Sequence, residues 1–99
     1  MENIVQSTLL ELGVTPNLKG FAFICDAVEI VRAEGNVKVM HIYDKIARDN
    51  NTTQSRVEKS IRHAISHVDE EAWISIGGTG RRNSEFLHTL ELITREERK

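Results

Sequence analysis

The chain has 99 residues, 39% of them hydrophobic and 28% charged, which suffices for one hydrophobic core and is too little for two. A single proline, no low-complexity run and no apolar run near the roughly 20 residues needed to cross a bilayer argue against extensive disorder, a repeat array and a membrane span, and imply a cytoplasmic protein. The net charge of −2 counts against a surface that is basic throughout, yet the charge is segregated. From Lys45 to His67, five cations (Lys45, Arg48, Arg56, Lys59 and Arg62) stand against Asp49 and Glu58, a local charge of +3 before any histidine protonates. Acidic residues such as Glu29, Glu34, Asp69, Glu70 and Glu71 dominate elsewhere, a division suited to one face meeting phosphates. Cys25 has no partner for an internal disulfide and sits in the apolar run Phe21 to Cys25, which reads as a buried structural thiol.

Taken in order, the first helix is expected from about Glu2 to Leu12, with Ile4, Val5, Thr8, Leu9 and Leu12 on one face and Gly13 as its stop. Val14 to Asn17 make a turn around Pro16. A second helix begins near Leu18 or Lys19 and runs to about Glu34; its apolar arc is wide, as in a central helix. Gly35-Asn36 ends it, and a third helix from about Val37 to Asp49 follows, carrying Val39, Met40, Tyr43, Ile46 and Ala47.

Asp49-Asn50-Asn51 is a tight polar turn, in which asparagine tolerates the left-handed conformation. The next helix is capped by Thr53, with a capping box from Ser55 to Glu58 as the competing start, and is expected to extend to about Ala72. The negative charge of Asp69-Glu70-Glu71 fits poorly at such a C-terminus, where the helix dipole disfavours it. Trp73 to Ile76 reads as a short extended segment, 77–82 as a basic glycine loop, and Asn83 or Ser84 as the cap of a last helix. That helix carries Phe86, Leu87, Leu90 and Ile93 into a charged tail, Arg95 to Lys99. The expectation is an all-α, compact domain of about five helices over residues 1–99.

Within it, the helix after Asn51 is distinctive. Val57, Ile61, Ile65 and Val68 recur at helical spacing, whereas Arg56, Lys59, Arg62, His63 and Ser66 turn outward with Gln54, Ser55 and Glu58. Two helices joined by a short turn, the second with an apolar inner stripe and a basic outer face, are the parts of a helix-turn-helix. The major groove admits one helix; arginine or lysine donates to guanine O6 and N7, and glutamate accepts from cytosine N4. Glu58, Lys59 and Arg62 share the outward face at the spacing needed to meet adjacent base pairs.

The stretch Asn51-Thr52-Thr53, Ser55-Arg56-Val57-Glu58 and Ile61-Arg62-His63-Ala64-Ile65 resembles the recognition helix of the sporulation master response regulators, stage 0 sporulation protein A. Gly13-Val14, Lys19-Gly20-Phe21 with Ala27-Val28-Glu29, the segment from Tyr43 to Ile46-Ala47, Trp73 and Asn83-Ser84-Glu85-Phe86 extend the resemblance over nearly the whole chain. It implies an effector domain that binds double-stranded DNA at a short box related to TGTCGAA, often as tandem copies, and regulates transcription. By that resemblance Glu58 and Arg62 read bases, with Lys59 at a position where the family typically has arginine. Arg56 and His63 hold phosphates, and Thr53, Ser55, Arg81 and Arg82 are further expected backbone contacts. The family's last helix also supports contacts between copies, so a homodimer or tandem binding is expected, with RNA polymerase as a further partner. Two departures from the family pattern are expected: a domain with no receiver domain ahead of it, and a segment from Trp73 to Asn83 shorter than the pattern, which places there a helix associated with polymerase contact.

Other features carry weaker chemistry. His63 and His67 are spaced to share a zinc ion but lack a third ligand, so solvated residues are the better reading and no metal is expected. Arg81-Arg82 reads equally as a wing touching a phosphate or as a solvated connection. The glycines of that loop lack the context of a nucleotide-binding loop, Trp73 reads as a core anchor, and no nucleophile stands beside a base. No catalytic residue, cofactor or enzymatic activity is therefore expected. A reading of another class remains: a stand-alone interaction module that pairs through its last helix with a full-length regulator and modulates it.

Overall fold

The computed structural model describes residues 3–97, which form six helices and no strand. These are α1 (Ile4–Leu12), α2 (Lys19–Glu34), α3 (Val39–Asp49), α4 (Gln54–Ile65), α5 (Glu70–Ser75) and α6 (Asn83–Glu97). The expected start at Glu2 and the end of the charged tail at Arg98 and Lys99 lie outside the described residues. No helix among the described residues is long and apolar enough to cross a membrane.

Local signals set most of the boundaries. The Asn3 side chain accepts from the Val5 and Gln6 amides at the start of α1. Gly13 closes that helix at φ 99°, a conformation in which a Cβ would be strained. Asn51 takes φ 55° in the turn between α3 and α4, as expected for asparagine, and Thr53 caps α4 by accepting from the Arg56 amide at 3.2 Å. The third helix starts at Val39, two residues later than Val37.

Two expectations are corrected. The recognition helix ends at Ile65 instead of continuing to Ala72, and Trp73 to Ser75 are helical, where an extended segment was expected. The reason is a second cap. Asp69 accepts from the Ala72 amide at 3.1 Å through its side chain, and its own amide donates to the Leu12 carbonyl at 2.8 Å, pinning the chain against the end of α1. The negative charge of Glu70 and Glu71 thus lies in the first turn of α5, where the helix dipole favours it, and not at the end of α4. Asp69 reads the same in both contexts until its tertiary partner is known.

The core is formed by all six helices. Leu9, Leu12, Ile24, Ile42, Ile46, Ile61, Trp73, Phe86, Leu87 and Leu90 are its largest fully buried side chains. Trp73 packs on Phe86 with ring centroids 4.4 Å apart, as a core anchor. Cys25 is half-buried, and burial followed by the nearby Asp26 and Glu29 charges pushes its thiol up to about 11, so it is an inert thiol. At Gly20, α2 crosses α4 so closely that a Cβ would lie 2.2 Å from the Ser60 carbonyl oxygen and 2.6 Å from the Ala64 Cβ. Only glycine fits that crossing, and it fixes how α4 sits on α2.

One ionic cluster ties the end of α2 to α6. Glu91 is 1% exposed, bonded by Arg95 and by Arg32 Nε at 3.2 Å, and Arg32 Nη2 also donates to Thr94 Oγ1 at 2.7 Å. Hydrogen bonds from Arg95, opposed by desolvation and joined by those from Arg32, hold the Glu91 carboxyl below its ordinary range.

Candidate nucleic-acid interface

The outward face of α4 is built from its two ends inward. At its N-terminus the Thr52 amide donates to the Ala47 carbonyl at 2.9 Å, which locks the turn onto α3. Gln54 Nε2 then donates to Asp44 Oδ1 at 3.2 Å, a second tie between the two helices. Val57, Ile61, Ala64 and Ile65 are all buried and seat the helix. With these four inward, the helical period turns Ser55, Arg56, Lys59, Arg62 and His63 to solvent, and each is exposed.

Glu58 and Arg62 are paired along this face at 3.6 Å, with side-chain exposures of 33% and 65%. An exposed pair of this kind contributes little to stability, so rearranging it toward a ligand costs little. His63 and His67 meet edge to face with centroids 5.0 Å apart. Among the described residues no group of three His, Cys, Asp or Glu side chains could hold a metal ion.

The expected backbone contacts do not all lie together. Thr53, Ser55, Arg56 and His63 belong to α4 or its cap, where Thr53 is engaged with the Arg56 amide. Arg81 and Arg82 are in the loop before α6, and Arg81 Nη1 donates to the Val68 carbonyl at 3.3 Å, just beyond the other end of α4. The 12 residues of α4 put roughly 18 Å of helix axis between its two ends. Arg82 is exposed.

Two contributions escape a reading of the sequence. Asn83 Nδ2 donates to the Tyr43 hydroxyl at 2.8 Å and to the Glu58 carbonyl at 3.3 Å, so the first residue of α6 joins α3 and α4 behind the outward face. Burial, partly offset by that amide, raises the Tyr43 phenol. A polar residue before an apolar helix signals a cap, and nothing in the local pattern marks Asn83 as a bridge. The other is the start of α2: Lys19 and Gly20 share a concavity with Lys59, Ser60 and His63. A glycine inside an apolar helical pattern was its available signal.

A buried inner stripe, a capped turn of fixed geometry and an exposed basic outer face define a helix-turn-helix domain of the DNA-binding class. Residues 5–92 match the family described as Sporulation initiation factor Spo0A C terminal. The chain therefore belongs to that family, and is the DNA-binding effector domain of a sporulation regulator.

Proposed function

We propose that this domain is a sequence-specific regulator of transcription that lays α4 in the major groove of a short box related to TGTCGAA. One observation carries the reading: Val57, Ile61, Ala64 and Ile65 are buried on the same helix whose Arg56, Lys59, Arg62 and His63 are exposed. Glu58, Lys59 and Arg62 read bases, Glu58 as an acceptor and the two cations as donors. Lys59 donates as a point charge where an arginine would offer a fork, so the base beneath it is discriminated less sharply. Thr53, Ser55, Arg56 and His63 set the register on phosphates, and Arg81 and Arg82 reach the backbone beyond the other end of the helix. Residues 1–99 act as one such domain, and two copies occupy tandem boxes. Contact with RNA polymerase belongs to the same reading.

The test is fluorescence titration at stated salt, on duplexes carrying the box and on scrambled ones, with the wild type and Arg62→Ala. The wild type should prefer the box, and Arg62→Ala should lose about 1–3 kcal/mol on the box and much less on the scrambled duplex. Equal affinity of the wild type for both duplexes overturns the reading.

A further inference from the structure

We propose that the concavity between the start of α2 and the flank of α4 seats a phosphate of the bound DNA strand, with Lys19 as a backbone ligand outside the helix-turn-helix. This rests on the reading of α4 as the DNA-facing helix.

The concavity has a volume of about 320 Å³, and Lys19, Lys59 and His63 line it together with Asn17 and Ser60. No carboxylate is among its lining residues, although acidic residues outnumber basic ones, 15 to 13, in the chain. Two cationic side chains and a protonatable one, drawn from two helices, thus border one recess with no carboxylate to neutralise them. Both Lys19 and Lys59 are exposed, and neither is in an ion pair among the described residues. A concave site of one sign of charge concentrates anions.

Its position is fixed by packing. Because Gly20 brings α2 against the Ser60 carbonyl with no room for a Cβ, the adjacent Lys19 is held beside the Lys59–His63 flank of α4. That flank is one residue around from Glu58 and Arg62, so a duplex engaged by the latter pair presents its sugar-phosphate edge to the recess. Lys59 belongs to both surfaces, whereas Lys19 stands on α2, outside the reading helix, and contributes its charge to the recess.

A phosphate ligand has a signature that a structural lysine lacks. Each phosphate neutralised releases condensed counterions, so losing one contact reduces the slope of log K against log salt by about 0.9 on B-DNA. The experiment measures affinity of the full chain over a series of salt concentrations for the wild type, Lys19→Gln and Lys38→Gln, on box and scrambled duplexes. Lys38 is exposed just before α3, at the end of that helix away from the turn into α4, and controls for the loss of one positive charge. Lys19→Gln should lower the slope by about 0.9, weaken both duplexes by the same factor and leave the preference for the box unchanged, and Lys38→Gln should leave the slope as it is. A Lys19→Gln slope equal to that of the wild type, or an equal loss in both variants, overturns the proposal while leaving box recognition intact. Absence of a box preference in the wild type overturns the reading of α4 and the proposal with it.

Discussion

The side-chain amide of Asn83 donates to the hydroxyl of Tyr43 at 2.8 Å, joining the first residue of α6 to the first helix of the helix-turn-helix. The same nitrogen reaches the Glu58 carbonyl at 3.3 Å, so the pose of α4 is set from behind by a residue 25 positions further along the chain. Tyr43→Phe removes one acceptor and should cost about 0.5–1.5 kcal/mol in chemical denaturation. Asn83→Ala should cost more, because the phenol is left without its donor. Both should lower the ratio of box to scrambled affinity in titration. An unchanged ratio in both would mean that the bridge only stabilises.

Gly20→Ala tests the crossing of α2 and α4. The added methyl meets the Ser60 carbonyl oxygen at 2.2 Å, and because backbone and not a flexible side chain is in the way, the helices must separate. The expected cost is about 1–3 kcal/mol, read as a lower melting temperature by circular dichroism. Alanine is the better helix former, so a rise in melting temperature would contradict the close packing.

Glu91 provides a pH test. Its folded-state carboxyl ionises at lower pH than an unfolded one, so the stabilisation from Arg95 and Arg32 is complete above the ordinary carboxylate range. It is lost as pH falls through the depressed value. Glu91→Gln should therefore destabilise by roughly 1.5–3 kcal/mol near pH 7 and by progressively less on acidification, as denaturation over a pH series would record. Asp26 works in the opposite sense. Burial, with Glu29 and Asp49 adding, raises its carboxyl, so ionising it as pH rises through the folded value costs stability, and Asp26→Asn should lessen that loss.

Glu58 is the only carboxylate among the expected base readers, and it separates reading from attraction. Glu58→Gln removes a negative charge facing phosphates, so affinity for scrambled duplex should rise while preference for the box falls. A parallel rise on both duplexes would show that Glu58 reads nothing.

Helical periodicity made the two faces of α4 legible, and cap chemistry made its start at Thr53 legible, because both depend on residues within one turn of each other. The end of α4 was not. Asp69 can interrupt a helix or cap the next one, and the choice is made by the Leu12 carbonyl, 57 residues earlier in the chain. Trp73 to Ile76 misled for the same reason: aromatic and β-branched residues suit a strand until a cap four residues upstream commits Trp73 to Ser75 to a helix. The bridge at Asn83 and the recess at Lys19 are products of packing between distant segments. No local pattern encodes the bridge, and Gly20 within an apolar helical pattern is the one local trace of the recess.

Selection of bound duplexes from a random pool by the full chain reads binding, sequence and spacing together. A short box related to TGTCGAA should be enriched, and preference at one or more of its positions should weaken when the selection is repeated with Arg62→Ala. A pool that emerges with no enriched sequence, or one whose enriched sequence is untouched by Arg62→Ala, would contradict base reading by α4.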